Sequence, residues 1–160
     1  MDTTIDLATR VGQALKARGL LLATAESCTG GGVAHAITEI AGSSEWFDCG
    51  FVTYSNASKN ELLDIAESLI AQHGAVSEEI AGAMAEAAVA NSSSHVAVST
   101  TGIAGPGGAV PGKPVGTVCF GWRVADKTYT ERLVFAGDRH AVREQTVLHA
   151  LKGLLKLLSD

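Results

Sequence analysis

Short β-rich runs alternate with helical patterns along most of the chain, and this alternation limits the possible folds more than any other feature. A helical pattern over 6–18 precedes an apolar run at 20–26, and further β-rich runs follow at 47–54 and 95–100. Helical segments separate these runs, which is typical of parallel strands joined by crossover helices. We therefore expect these three runs to lie in one sheet.

The last third of the chain adds a different kind of connection. Two β-rich runs, 115–124 and 128–135, flank the short polar segment Ala125-Asp126-Lys127 and predict an antiparallel hairpin. The apolar pattern over 139–158 predicts a closing amphipathic helix. Together the runs predict an α/β fold, a three-layer α/β/α sandwich with a mixed central sheet, in a single domain over 1–160.

Two serines are candidates to begin helices. Ser58 is followed by Glu61 in the capping-box position, so we predict a helix that starts near Lys59. Ser77 precedes an alanine-rich helix that reaches about Ala90.

Charge and hydropathy exclude several classes of protein. The formal net charge is -5 and the basic residues are scattered, so a nucleic-acid partner is not expected. The first residues lack a basic segment followed by an apolar one, and no apolar run approaches about 18 residues. We expect a cytoplasmic protein without membrane partners.

The cysteines do not form a recognisable metal or redox motif. Cys28, Cys49 and Cys119 are odd in number and widely spaced, and each has apolar neighbours. Neither cysteine nor histidine recurs at the spacing of zinc ligands. We predict reduced, buried thiols, no metal and no organic cofactor.

The segment 26–32 follows the first predicted strand, where open α/β sheets usually gather their ligand sites. Ser27 can present a hydroxyl there, while glycine-rich backbone N–H groups face an oxyanion or a phosphate. Cys28 is the rival nucleophile, although neighbouring side chains point in different directions, and a buried structural Cys28 is favoured. The alternative is an ordinary helix cap followed by flexible glycines.

A serine nucleophile needs a base, and the segment 54–59 offers one at the end of the next predicted strand. Lys59 can take the proton from Ser27 if burial lowers its pKa, and Tyr54 can assist the lysine or the leaving amine. The alternatives are a solvated lysine at a helix start and a tyrosine that packs at the sheet edge.

A second glycine-rich loop, 101–108, follows the third predicted strand. Its glycines allow close approach of a ligand, and consecutive N–H groups can bind an anion, although the loop is neither a Walker A motif nor a dinucleotide fingerprint. Before the last helix, Arg139 could pair with a phosphate. The expected substrate-binding residues are Glu26, Thr29, Gly30, Gly31, Thr101, Gly102, Gly105, Gly107 and Arg139.

Five segments in order resemble the CinA C-terminal domain family: Thr24–Gly31, Tyr54–Lys59, Gly74–Glu79, Thr101–Gly108 and Lys113–Val118. The resemblance covers nearly the whole chain and implies a stand-alone nicotinamide-nucleotide amidase, which converts nicotinamide mononucleotide to nicotinate mononucleotide and ammonia. It places the nucleophile at Ser27, the base at Lys59 and the assisting tyrosine at Tyr54. The expected partners are this nucleotide and further copies of the chain, in a homo-oligomer.

Two other functions stay open at this point. A non-catalytic nucleotide-binding or regulatory module would use the glycine loops to bind phosphate, and Ser27 and Lys59 would not meet. An amidase with another amide substrate would share the chemistry. A contact between Ser27 and Lys59 separates catalysis from binding alone.

Overall fold

The computed structural model describes residues 2–159, which form a five-stranded sheet and six α-helices. The elements in chain order are α1 Thr4–Ala17, β1 Leu22–Glu26, α2 Gly32–Thr38, β2 Phe47–Val52, α3 Asn56–Leu63, α4 Glu67–His73, α5 Glu78–Ala90, β3 Val96–Gly102, β4 Thr117–Val124, β5 Lys127–Val134 and α6 Arg139–Leu158.

The sheet is mixed, as predicted. Its strand order is β2-β1-β3-β4-β5. β1 pairs with both β2 and β3 in parallel, whereas β3 with β4 and β4 with β5 are antiparallel pairs. The parallel strands β1, β2 and β3 therefore end at one common edge of the sheet.

Alternating side chains of the central strands pack against two separate helical layers. Leu22 of β1 and Val96 of β3 lie in the core formed with α1, α2 and α6. Their neighbours Ala23 and Ala97 lie in the core formed with α3, α4 and α5. Side chains of a strand alternate between its faces, so each central strand supplies both cores. The predicted three-layer α/β/α sandwich is confirmed.

Side-chain caps fix where several helices begin. Ser77 accepts a hydrogen bond from the Ile80 N–H, and α6 begins at Arg139, both as predicted. The prediction that Ser58 caps α3 is wrong. Ser55 is the cap, because its Oγ accepts from the Ser58 N–H at 3.0 Å and α3 begins at Asn56. This earlier start places Lys59 inside the helix.

Two further differences from the predicted elements concern short segments. Helix α4 was not predicted, since it has only seven residues and its N-cap, Ala66, makes no side-chain cap bond. The connection in the hairpin is one residue shorter than predicted, because Lys127 already belongs to β5. Ala125 and Asp126 both have positive φ, which suits a two-residue turn between twisted strands.

No helix within residues 2–159 is long and apolar enough to cross a membrane.

Candidate active site

Ser27 lies at the sheet edge where the parallel strands end. Its N–H donates to the Thr100 carbonyl at 2.9 Å, which continues the pairing of β1 with β3 by one residue. The chain then turns through residues 27–31, here called the serine loop, and enters α2. Gly30 and Gly31 have φ values of 58° and 101°, which glycine adopts with little strain. Ser27 is 8% exposed, so solvent reaches only a small part of it.

The Glu26 carboxylate joins the serine loop to the start of α2. Oε1 accepts from the Thr29 hydroxyl at 2.5 Å and from the Val33 N–H at 2.8 Å, and Oε2 accepts from the Ala34 N–H at 3.0 Å. A carboxylate at the N-terminus of α2 is favourable, because the first helical N–H groups lack partners within the helix. Thr29 and Glu26 are both buried, and their polar groups face each other.

Lys59 reaches the site from α3, on the opposite side of the sheet from α6. Its Nζ lies 3.1 Å from the Ser27 Oγ. Nζ also donates to two backbone carbonyls, that of Thr53 at 2.7 Å and that of Tyr54 at 3.3 Å. A neutral amine has two N–H bonds and one lone pair. The two carbonyls can take both N–H groups, which leaves the lone pair for the Ser27 hydroxyl.

The surroundings of Lys59 favour its neutral form. The side chain is 0% exposed, and it forms no ion pair with any carboxylate in residues 2–159. Removal of the ammonium group from water lowers the pKa of Lys59 from its usual value of 10.5, although the nearby Cys28 opposes part of this shift.

The lowered pKa of Lys59 predicts a pH dependence of stability. Between the lowered pKa and 10.5, the unfolded chain keeps a proton on Lys59 that the folded chain has lost. We therefore compare the free energy of unfolding of the wild type with that of Lys59→Met. The difference, wild type minus variant, should increase as pH rises through this window, by at most about 1.4 kcal/mol per pH unit. Denaturant unfolding at a series of pH values measures the difference. Parallel curves for the two proteins would mean that the pKa of Lys59 is not lowered.

Tyr54, Gly105 and Arg139 form a hydrogen-bonded bridge beside the site. The Arg139 Nη2 donates to the Tyr54 phenol oxygen at 3.2 Å, and its Nη1 donates to the Gly105 carbonyl at 2.8 Å. The Tyr54 side chain is 63% exposed, and only its backbone carbonyl contacts Lys59. Arg139 therefore joins three segments that are distant in sequence.

The other predicted residues of the loop 101–108 have different surroundings. The Thr101 hydroxyl donates to the Ala75 carbonyl at 2.9 Å and is buried. Gly102 ends β3 and packs closely against β4, where a Cβ would lie 2.8 Å from the Val118 side chain. Gly107 is exposed, with open space on the side where a Cβ would point. Thr101 and Gly102 thus have structural contacts, while Gly107 is free to meet a ligand.

A cleft of about 650 Å³ opens beside the bridge, between the loop 101–108 and the start of α6. Its positively charged side chains are Arg139 and Arg143, and His140 adds a titratable ring. The one acidic residue in its lining, Asp138, already accepts from the Ala141 N–H at the helix start. The complete lining is Ala104, Pro106, Val115, Gly137, Asp138, Arg139, His140 and Arg143.

The cysteines differ in their environments. Cys28 lies in the core formed with α1, α2 and α6, and burial raises the pKa of its thiol to about 12. Burial likewise raises the pKa of Cys119 to about 11. Cys49 is only half-buried, against expectation, because β2 is an edge strand. No group of three or more His, Cys, Asp or Glu side chains in the described chain is arranged to hold a metal ion.

Sequence reasoning missed two features of this site. One is the pair of backbone carbonyls that hold Lys59, which no side-chain motif reveals. The other is Arg143, whose guanidinium donates to the Cys28 and Thr29 carbonyls. Its spacing of four from Arg139 was an available signal, since residues four apart lie on the same face of a helix.

Comparison with known proteins gives consistent matches over nearly the whole chain. A family model described as the CinA C-terminal domain matches residues 4–158. The nicotinamide-nucleotide amidohydrolase PncC of Pseudomonas putida is 52% identical over 157 residues, which are 98% of this chain and 98% of that protein. The protein of the same name from Escherichia coli strain K12 is 52% identical over 151 residues, 94% of this chain and 92% of that one.

A solved structure agrees with the sequence matches. The crystal structure of the competence damage-inducible protein A from Klebsiella pneumoniae subsp. pneumoniae MGH 78578 has a TM-score of 0.96 at 39% identity, and the match covers 99% of this chain and 98% of that one. The chain therefore belongs to the CinA C-terminal domain family.

Proposed function

We propose that this chain is an amidohydrolase that converts nicotinamide mononucleotide to nicotinate mononucleotide and ammonia, with Ser27 as nucleophile and Lys59 as base. The substrate is supported by two nicotinamide-nucleotide amidohydrolases that are 52% identical to this chain over nearly the full length of both proteins. The observation that carries the mechanism is the distance of 3.1 Å between the Lys59 Nζ and the Ser27 Oγ, with Lys59 fully buried.

The first half of the reaction forms an ester. The neutral Lys59 takes the proton of the Ser27 hydroxyl as its oxygen attacks the carboxamide carbon, and the carbonyl electrons move onto oxygen. When the carbonyl re-forms, the C–N bond breaks. The protonated Lys59 gives its proton to the departing nitrogen, so ammonia leaves and Lys59 is neutral again. The pyridinium charge of the substrate withdraws electrons from the amide carbon and assists the attack.

The second half releases the acid. Lys59 takes a proton from water, whose oxygen attacks the ester carbon, and the C–O bond to Ser27 breaks. The proton on Lys59 then returns to the Ser27 oxygen. The two steps together consume one water molecule, and Ser27 and Lys59 end as they began. Tyr54 and Arg139 would contact the substrate from the bridge, since the Tyr54 side chain is exposed and Arg139 lines the adjacent cleft.

The phosphate of the nucleotide would lie in the cleft beside α6. Arg139 would bind it there, and the start of α6 adds a favourable dipole. Gly105 and Gly107 would let the loop approach the ligand closely, while Gly30 and Gly31 would do so from the serine loop. Glu26, Thr29, Thr101 and Gly102 would shape these loops through the contacts described above.

A panel of amides tests the proposal. We expect the chain to release ammonia from nicotinamide mononucleotide with a kcat/KM about 100-fold or more above that for free nicotinamide, since two charge-assisted hydrogen bonds to phosphate contribute about 3 kcal/mol. Nicotinamide riboside is the matched control, because it keeps the pyridinium charge and lacks the phosphate. Equal kcat/KM for the nucleotide and the riboside would remove the phosphate site from the proposal.

The same panel distinguishes the two alternative functions. Tight binding of the nucleotide without ammonia release would indicate a nucleotide-binding module. Faster ammonia release from an unrelated amide would indicate an amidase that uses the same Ser27 and Lys59 chemistry on another substrate.

A further inference from the structure

Two carbonyls of the serine loop are held by one side chain of α6. The Arg143 Nε donates to the Cys28 carbonyl at 3.1 Å, and its Nη2 donates to the Thr29 carbonyl at 3.3 Å. Both bonds carry the charge of the guanidinium and come from a rigid planar group, which restrains two consecutive peptide units at once. Arg143 is therefore the connection between the last helix and the loop that carries Ser27.

A restrained carbonyl also restrains the N–H group of the same peptide unit. The Cys28 carbonyl and the Thr29 N–H belong to one trans peptide, and in a planar trans peptide these groups point in opposite directions. Because Arg143 draws the carbonyl toward α6, the Thr29 N–H points away from α6. Lys59 approaches Ser27 from the other helical layer, so the side away from α6 is also the side of the base.

The Thr29 N–H is also unoccupied. No residue between 2 and 159 accepts a hydrogen bond from it. In the same loop, Ser27 donates to the Thr100 carbonyl at 2.9 Å and Gly30 donates to the Ser27 carbonyl at 3.1 Å, whereas the N–H groups of Cys28 and Gly31, like that of Thr29, have no acceptor within residues 2–159. A free N–H beside a nucleophile can stabilise the oxygen that becomes negative during attack on a carbonyl.

We infer that Arg143 is a positioning residue for the amidase reaction: it holds the Cys28–Thr29 peptide so that the Thr29 N–H faces the developing oxyanion. This inference rests on the proposed function. Arg143 does not contact the reacting atoms in this account. It acts through the peptide unit, and its charge also polarises the carbonyl, which strengthens the N–H as a donor.

Arg143→Ala provides the first test, with kcat and KM measured separately on nicotinamide mononucleotide. We expect kcat to fall about 100-fold, the usual effect of losing one oxyanion donor, while KM stays within about threefold. Nicotinamide riboside, which lacks the phosphate, should show the same fold loss of kcat. A rise in KM with unchanged kcat, or a loss confined to the phosphorylated substrate, would show that Arg143 binds the phosphate instead and would overturn the inference.

Chemical rescue separates positioning from a structural role. Millimolar guanidinium ion should restore part of the kcat of Arg143→Ala, and it should leave Arg10→Ala, an exposed arginine variant on α1, unchanged. If Arg143→Ala does not fold, Arg143→Lys takes its place, because a lysine keeps the charge but cannot bridge both carbonyls. A kcat per folded Arg143→Lys molecule within threefold of the wild type would contradict the inference. Wild-type protein without ammonia release would instead reject the proposed function.

Discussion

Replacement of Ser27 with alanine is expected to lower kcat by at least about 1000-fold, because no other group in the site is placed to form the ester. Within residues 2–159, the Ser27 hydroxyl forms a hydrogen bond only with Lys59, which keeps its two backbone carbonyls in the variant. Folding and nucleotide affinity should therefore change little. Ammonia release gives kcat, and calorimetric titration with nicotinamide mononucleotide gives affinity.

Cys28→Ala is the matched control for Ser27→Ala. Cys28 is adjacent in sequence, but its thiol is buried in the core and its raised pKa of about 12 keeps it protonated at neutral pH. We expect this variant to keep most of the activity and to lose some stability from the small cavity. Near-normal turnover in Ser27→Ala, together with inactive Cys28→Ala, would show that the nucleophile is assigned to the wrong residue.

Replacement of Lys59 with arginine should lower kcat by at least about 100-fold, although the positive charge remains. An arginine keeps its proton at any accessible pH and cannot accept the one on Ser27. In the wild type, kcat should rise as pH increases through the lowered pKa of Lys59, because only the neutral amine is a base. This rise should be absent in the variant. Steady-state rates across the pH range measure both effects.

Two further variants complete the test of Lys59. Lys59→Met has a similar length without a charge, so it replaces the arginine variant if the larger guanidinium does not fit the buried site. Lys16→Arg is the control for the same exchange at an exposed position on α1, and it should keep full activity. An active Lys59→Arg with an unchanged pH profile would mean that Lys59 serves as a positive charge and that another group accepts the proton.

Much of the fold could be predicted because the spacing of apolar residues repeats several times within each long helix or strand. The run at 20–26, the hairpin and the closing helix at 139–158 each contain enough apolar positions to fix their type. The prediction failed where a single hydrogen bond determines the residue at which a helix begins. Ser55 and Ser58 could both cap a helix, and only the structure shows that the Ser55 hydroxyl accepts a hydrogen bond from the Ser58 N–H. Helix α4 lacks any cap signal.

Part of the candidate site could be predicted from the topology of the sheet. Ser27 and Lys59 each follow a predicted strand, and parallel strands end at one edge, so their proximity followed from topology. The carbonyls of Thr53 and Tyr54 could not be predicted, because every residue has one and the sequence does not show which are free. Arg143 contacts a loop more than 100 positions away, a pairing that depends on how α6 packs.

The acyl-enzyme is the central claim, and it can be observed directly. The 4-nitrophenyl ester of nicotinate mononucleotide carries a much better leaving group than ammonia, so acylation should be fast and the ester of Ser27 should accumulate. Acid quenching within milliseconds, followed by digestion and mass spectrometry, locates the adduct. We predict a nicotinate mononucleotide adduct on the peptide with Ser27, absent from Ser27→Ala and present in Cys28→Ala. An adduct on Cys28, or turnover of the ester without any adduct, would contradict the account.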